Sequence, residues 1–197
     1  GVAKYDWYPM FRGRLVTING KPVSPDDYTE DRAKRLVDRE FNLSNAADKP
    51  PHNEVLQGAW KPGEANAVSV EEGLMETLGL KLGDTLGFDV GGIPSEARIT
   101  STRKVDWGSL HANFFVMYPV AAMPPELPVT YMGAFRAPDK AGFDNALVRQ
   151  FPNVTNVDMS ATLNQVQRVL DQVIRAVEFL FGFTLAAGLV VLFAAVT

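Results

Sequence analysis

Apolar and polar residues alternate in short runs through the first three quarters of the chain, and that period of two predicts strands. Met10 to Ile18 is the first such run. Asn19-Gly20 follows it as a hairpin signal, and Lys21-Pro22-Val23 begins the return. The stretch SPDDYTEDRAKRLVD has poor helical periodicity and reads as a loop with a helical turn, capped by Ser24 or Asp26. Further strands are predicted at Arg39 to Leu43, Glu54 to Gln57 and Ala67 to Val70. Glu71 to Leu78 predicts a helix whose acidic start suits the dipole and whose end can turn left-handed at Gly79. Asp84 to Val90 and Ala97 to Val105 pair across Gly91-Gly92 as a second hairpin. Strands are then expected at Asn113 to Tyr118, Val129 to Arg136 and Asn153 to Val157. Between the last two lies a helix at Ala141 to Gln150, with Phe143, Ala146 and Leu147 inward.

After Val157 the pattern changes. Leu163, Val166, Leu170, Val173 and Val177 recur at spacings of three and four, a narrow seam suited to packing on a neighbouring helix. Gln165, Arg168, Asp171 and Arg175 fall off it. From Phe179 to Val196 there is no charged residue, and Thr184 carries the only hydroxyl. A membrane span needs about 20 apolar helical residues, and a core helix would keep a polar face throughout. The stretch therefore predicts a stalk over 159–178 running into the start of a transmembrane helix over 179–197. Within the span Gly182 and Ala186, and Thr184 and Gly188, are four apart, a spacing at which small residues let another helix approach closely. The seam suits a rigid rod that transmits displacement, and equally a plain anchor with a packed neck.

Strands and helices do not alternate regularly, so the fold class is α+β. Two lobes are expected: residues 1–50 with 126–158, and 51–125 inserted between them. Composition narrows the function. The chain has 197 residues, 46% hydrophobic and 21% charged, with net charge -4 and no block of like charge, which argues against nucleic acid as a partner. Without cysteine, disulfide scaffolds and thiolate metal sites are excluded. The opening GVAKYDWYP contains no signal peptide, and the chain reads as a piece of a longer protein at both ends.

No catalytic constellation is visible. His52 and His111 both sit in loop-like context without further ligands at local spacing, so no metal role is expected for them. Asp106, Ser109 and His111 form a local cluster in VDWGSLH, read as a loop with a tryptophan packed under it. No G-x-S-x-G and no phosphate-loop context occurs. Phe114, Phe115, Met117, Met123, Tyr131, Met132 and Phe135 could line a greasy groove between lobes, although ordinary core is the reading residue type favours.

These phrases resemble a known family. AVSVEEGLMETLGLKLGDTLGFDVGGIPSEARITSTRKVDW is similar to the extracytoplasmic segment of FtsX/MacB-type ABC transporter permeases, and NEVLQGAW precedes it as it does there. FPNVTNVDMSATLNQVQRVLDQVIRAVEFLF resembles the strand and stalk helix leading back to the membrane. YPMFRGRLVTINGKPV, REFNLS and RKVDWGSLHANFFVMYP resemble the YbbP-like subgroup.

The resemblance implies Porter-like and Sabre-like subdomains on stalk helices, no catalytic residues and no cofactor in this chain. ATP and Mg²⁺ would belong to a partner cytoplasmic ABC ATPase. Further implied partners are other transmembrane helices of the same permease, membrane lipids and a periplasmic lysophospholipase or thioesterase. The implied location is the bacterial inner membrane with the folded part in the periplasm, and the implied substrate is hydrophobic or lipid-like. Two other readings compete on the residues alone. One is a membrane-anchored binding or sensor domain without transport, and the other a tethered hydrolase using the Asp106–His111 region.

Overall fold

The computed structural model describes residue 2 and residues 4–196, the side chains of 160–163 excepted. Its contacts divide the chain into two units, Gly1–Ala137 and Pro138–Thr197.

The first unit is built on strand β1 (Tyr5–Ile18). In its second half the alternation is complete: Phe11, Gly13 and Leu15 are buried, while Arg12, Arg14 and Val16 are exposed. Asn19 and Gly20 both take positive φ, as the tight turn predicted there requires. β2 (Lys21–Pro22) returns antiparallel beside β1. The Asn19 side chain also reaches beyond its own hairpin, donating to Asp84 Oδ1 and accepting from the Thr85 amide.

The stretch read as loop with a helical turn is more ordered than that. Ser24 and Asp27 make a reciprocal capping box over a 3₁₀ turn, Pro25–Asp27. Helix α1 (Asp31–Val37) follows and buries Ala33, Leu36 and Val37. Two turns are too few for a clear helical period, which is why the pattern did not disclose it.

β3 (Glu40–Asn45), β4 (Glu54–Gly58) and β5 (Ala67–Glu71) match the expected strands with ends shifted by a residue or two. α2 (Glu72–Leu78) starts under the Glu71 carboxylate, which accepts from the Leu74 amide, and ends at left-handed Gly79. β6 (Thr85–Val90) and β7 (Ile93–Lys104) form the second hairpin. β8 is only Val116–Tyr118, shorter than predicted. The Phe114 carbonyl, expected in a strand ladder, instead accepts from the Arg103 guanidinium, and the Phe115 carbonyl accepts from both that guanidinium and the Glu71 amide. β9 (Thr130–Phe135) pairs antiparallel with the Tyr5–Met10 half of β1.

Six strands close a ring. β1 pairs with β3, β3 with β8, β8 with β5, β5 with β7, β7 with β6, and β6 returns to β1. Two of these pairings, β3 with β8 and β5 with β7, are parallel. Closure pairs the backbone of both edges, which an open sheet of this size would leave exposed. Strands from both segments expected as separate lobes, 1–50 and 51–125, share this ring. Its interior holds Phe11, Leu15, Leu43, Val68, Val70, Leu86, Phe88 and Ile99, part of one apolar cluster that also includes Leu36, Leu74 and Leu78 from α1 and α2. A smaller cluster of Ala112, Phe114 and Met117 packs with Tyr8, Met10, Trp60 and Met132.

The second unit contains α3 (Phe143–Gln150) and α4 (Ser160–Val196). In α3 Phe143 and Leu147 are half-buried, but Ala146 is exposed, contrary to expectation. Asn153 to Val157, predicted as a strand, is not one: the Val154 amide turns back to the Phe151 carbonyl, and no strand partner is present among the described residues.

Candidate functional site

The site that the sequence pointed to is α4. It is one uninterrupted helix of 37 residues, about 55 Å long at 1.5 Å per residue. Val166, Leu170, Val173 and Val177 lie along it and are all more than half exposed. The Leu163 side chain lies outside the described residues. From Asn164 to Val196 the helix is long and apolar enough to cross a membrane, and the apolar window that qualifies it has no residue buried. Phe179, Phe181, Phe183, Val190, Val191 and Phe193 stand open. In water such a surface would be a liability, whereas in lipid it is the required one. The Thr184 hydroxyl donates to the Leu180 carbonyl, so the one polar side chain between Phe179 and Val196 is satisfied within its own helix. At Gly182 and Gly188 an added Cβ would meet nothing within 4 Å.

The residues considered for catalysis separate. The Ser109 hydroxyl donates to the Asp106 carbonyl, and the Asp106 carboxylate accepts from the Gly108 amide. His111 turns elsewhere, so no serine–histidine pair forms. The tryptophan of that loop, Trp107, is about half exposed and lies against Phe115 at 4.5 Å between ring centroids. Of the residues offered for a greasy groove, Phe114 and Met117 are core, while Tyr131 is exposed and stacks on Trp7 at 5.3 Å.

What His111 does was not legible from spacing. Its Nδ1 lies 2.9 Å from Asp6 Oδ2, and its ring stacks on His52 at 4.2 Å with planes 10° apart. His52 Nε2 is 3.1 Å from the Ala112 carbonyl, and Tyr8 stands edge-on to the His52 ring. The Ala112 amide donates to the same Asp6 oxygen. Burial, and next the Asp6 charge, push the Tyr8 phenol above its usual range. One ligand-capable atom from each of Asp6, His52 and His111 lies within 4.8 Å of the others. The three residues come from β1, the β3–β4 connection and the β7–β8 connection, so only long-range pairing assembles them.

Arg103 is a second feature that sequence reasoning missed. It is fully buried, with Nε donating to Ser69 Oγ, Nη1 to Asn53 Oδ1, and Nη2 to the carbonyls of Ser69, Phe114 and Phe115. Burial lowers its pKa to about 10, opposed by the attraction of Glu71. That still leaves it charged at neutral pH. On the surface, Arg32, Arg35 and Arg39 line an open groove of about 540 Å³ with Leu36, Asp38 and Phe115. Arg39 lies over the Phe115 ring at 5.7 Å.

No family model matches the chain. It is 39% identical over 190 residues to the uncharacterized ABC transporter permease YbbP of Escherichia coli K12, a match that takes in 96% of this chain and 23% of that protein. The chain thus spans about a quarter of that relative's length. The family resemblance carried by the sequence phrases is borne out by this likeness. A crystallised domain of a protein described as a permease from Porphyromonas gingivalis is similar at a TM-score of 0.40 with 15% identity, over 82% of this chain and 67% of its own. A likeness at that level carries no weight for the fold or the function.

Proposed function

We propose, because this chain is in sequence a YbbP-like segment of an ABC transporter permease, that it is the extracytoplasmic part of such a permease together with the start of the helix returning to the membrane. Its partners are a cytoplasmic ABC ATPase, which binds ATP and Mg²⁺, and the other transmembrane helices of the permease. The folded part lies in the periplasm and the span in the bacterial inner membrane. It carries no chemistry of its own. Motion generated by the ATPase travels along α4 to the folded part, which handles a hydrophobic or lipid-like substrate.

The observation that carries the reading is the continuity of α4. Its stalk and its charge-free span share one helix from Ser160 to Val196, and a helix without a break moves as a rod. The seam of Leu163, Val166, Leu170, Val173 and Val177 is then the face that packs on a second stalk. Gly182, Thr184, Ala186 and Gly188 form the close-approach face in the membrane. The Arg32, Arg35 and Arg39 groove beside Phe115 supports an amphiphilic cargo, because guanidinium attracts an anionic headgroup while the ring offers an apolar contact. A periplasmic lysophospholipase or thioesterase would receive such a cargo. In this reading residues 1–50 with 126–158 form a Porter-like region and 51–125 a Sabre-like one, joined through the ring strands they share.

The test is Val169→Pro in the full-length protein, reconstituted with its ATPase in proteoliposomes. Proline removes one helical hydrogen bond and clashes with the preceding turn. Coupling of ATP hydrolysis to substrate should be lost while tryptophan fluorescence of the folded part stays native. Normal coupling in that variant would sink force transmission through α4.

A further inference from the structure

We propose that Asp6, His52 and His111 form a binding site for one borderline divalent transition metal ion of the Zn²⁺ class, with the two imidazoles and one carboxylate as its protein ligands. This is independent of the transport reading.

His52 has one ring nitrogen satisfied and one not. Its Nε2 faces the Ala112 carbonyl at 3.1 Å, and a carbonyl can only accept, so Nε2 carries the proton. In the neutral ring the lone pair is then on Nδ1. That atom is buried and has no hydrogen-bond partner among the described residues. A buried acceptor without a donor is costly and calls for a reason. Coordination to a metal supplies one. The hydrogen bond at the opposite nitrogen is the kind of outer contact that fixes the tautomer and orientation of a ligating histidine.

Asp6 and His111 complete the donor set. Asp6 Oδ2 is oriented by the Ala112 amide and lies 2.9 Å from His111 Nδ1. Two ligands held about 2.0–2.2 Å from one ion are separated by roughly 3 Å at an octahedral angle and roughly 3.4 Å at a tetrahedral one. The observed spacing therefore suits an ion that replaces the proton shared between them. One ligand-capable atom from each of the three residues lies within 4.8 Å of the others, and the set closes further around an ion. The Ala112 carbonyl and the edge of Tyr8 hold the His52 ring, whereas the half-exposed His111 ring, stacked on it at 4.2 Å with planes 10° apart, has to turn out of that stack for both in-plane lone pairs to meet one ion.

The Asp6 side chain is 15% exposed and that of His111 50%, so the site opens to solvent on the His111 side. Water would complete the coordination there. Two nitrogens and one carboxylate oxygen select Zn²⁺, Ni²⁺, Cu²⁺ or Co²⁺ over Ca²⁺ and Mg²⁺, which prefer all-oxygen sites. The ion would join the first strand of the chain to both connections, adding to the hydrogen bonds that Asp6 already makes with His111 and the Ala112 amide.

The experiment uses the full-length protein in detergent, stripped with chelator and titrated calorimetrically with Zn²⁺. His52→Gln keeps an amide donor for the Ala112 carbonyl, and His111→Gln removes the second imidazole. Each variant is expected to bind one ion fewer per chain than wild type. Asp6→Asn is expected to weaken that one site by more than the roughly 10–100-fold that loss of an outer contact costs. X-ray absorption of the Zn²⁺-loaded wild type needs no variant and is expected to show two imidazole ligands. Equal stoichiometry and affinity in wild type and the His52→Gln/His111→Gln double variant would overturn the site. So would an absorption spectrum without imidazole.

Discussion

Replacing Arg103 with methionine tests whether the ring of strands is held by its buried cation. The side chain has almost no exposed surface, and its guanidinium makes five acceptor contacts. Methionine fills much of the volume but donates nothing. Two acceptors keep other partners: Ser69 Oγ has the Ser101 hydroxyl, and the Phe115 carbonyl has the Glu71 amide. The groups that lose most are Asn53 Oδ1 and the Phe114 carbonyl. Leaving a buried acceptor unpaired costs about 1–3 kcal/mol, so the two together cost about 2–6 kcal/mol. Glu71 also loses its nearby positive charge. Against this, the folded state no longer bears the cost of keeping a guanidinium out of water. The net expectation is a loss of about 3–5 kcal/mol, in line with removing one partner from a buried charged network.

The assay is thermal unfolding of the chain in detergent, followed by fluorescence. Trp7, Trp60 and Trp107 are its only tryptophans, and all lie in the first unit, so the signal reports the ring. At roughly 3–4 °C per kcal/mol for a unit of this size, the midpoint should fall by about 10–20 °C. Arg103→Lys keeps the charge and some donors and should fall between the variant and wild type. A drop below about 4 °C for Arg103→Met would refute the account, because the acceptors would then have found other donors at little cost.

Gly58→Ala should destabilise the first unit by at least about 1–3 kcal/mol, since Gly58 has φ +71 and an added Cβ would lie 2.1 Å from the Thr100 carbonyl oxygen; the same fluorescence melt reads it. Leu189→Arg puts a charge in the middle of the apolar stretch and should cost about 2.5–3.5 kcal/mol of membrane insertion, measured by a glycosylation-based insertion assay. The Tyr118 phenol, raised mainly by burial and opposed by its hydrogen bond to Ser95, binds its proton more tightly folded than unfolded. Its contribution is complete below pH about 10 and is lost as pH rises through the folded value. Stability should fall in that alkaline window, and Tyr118→Phe should blunt the fall. Arg103 works the other way, because its folded pKa of about 10 lies below the unfolded one and favours the native state as pH climbs past it. Arg35→Glu with Arg39→Glu should reduce stimulation of ATP hydrolysis by anionic lipids in proteoliposomes, and unchanged stimulation would remove the groove from the transport reading.

The parts of this protein that its sequence determined are those whose cause is local. The charge-free run after Glu178 dictates an apolar helix wherever it folds, and Asn19-Gly20 and Gly91-Gly92 dictate turns because few other residues accept their backbone angles. Gly79 likewise ends α2 by its own conformational freedom.

The tertiary structure decided everything that depends on residues far apart meeting. Closure of the ring requires β6 to return to β1, and no period or turn signal encodes which strand finds which. Asn113–Phe115 looked like strand and is not, and there Arg103 takes the Phe114 carbonyl that a ladder would have used. His52 and His111 looked like isolated loop histidines at any local spacing. They share a site with Asp6 only because strand pairing brings β1 and two connections together, and the energy that brings them together is the burial of the ring's apolar interior rather than any preference of the three residues for one another.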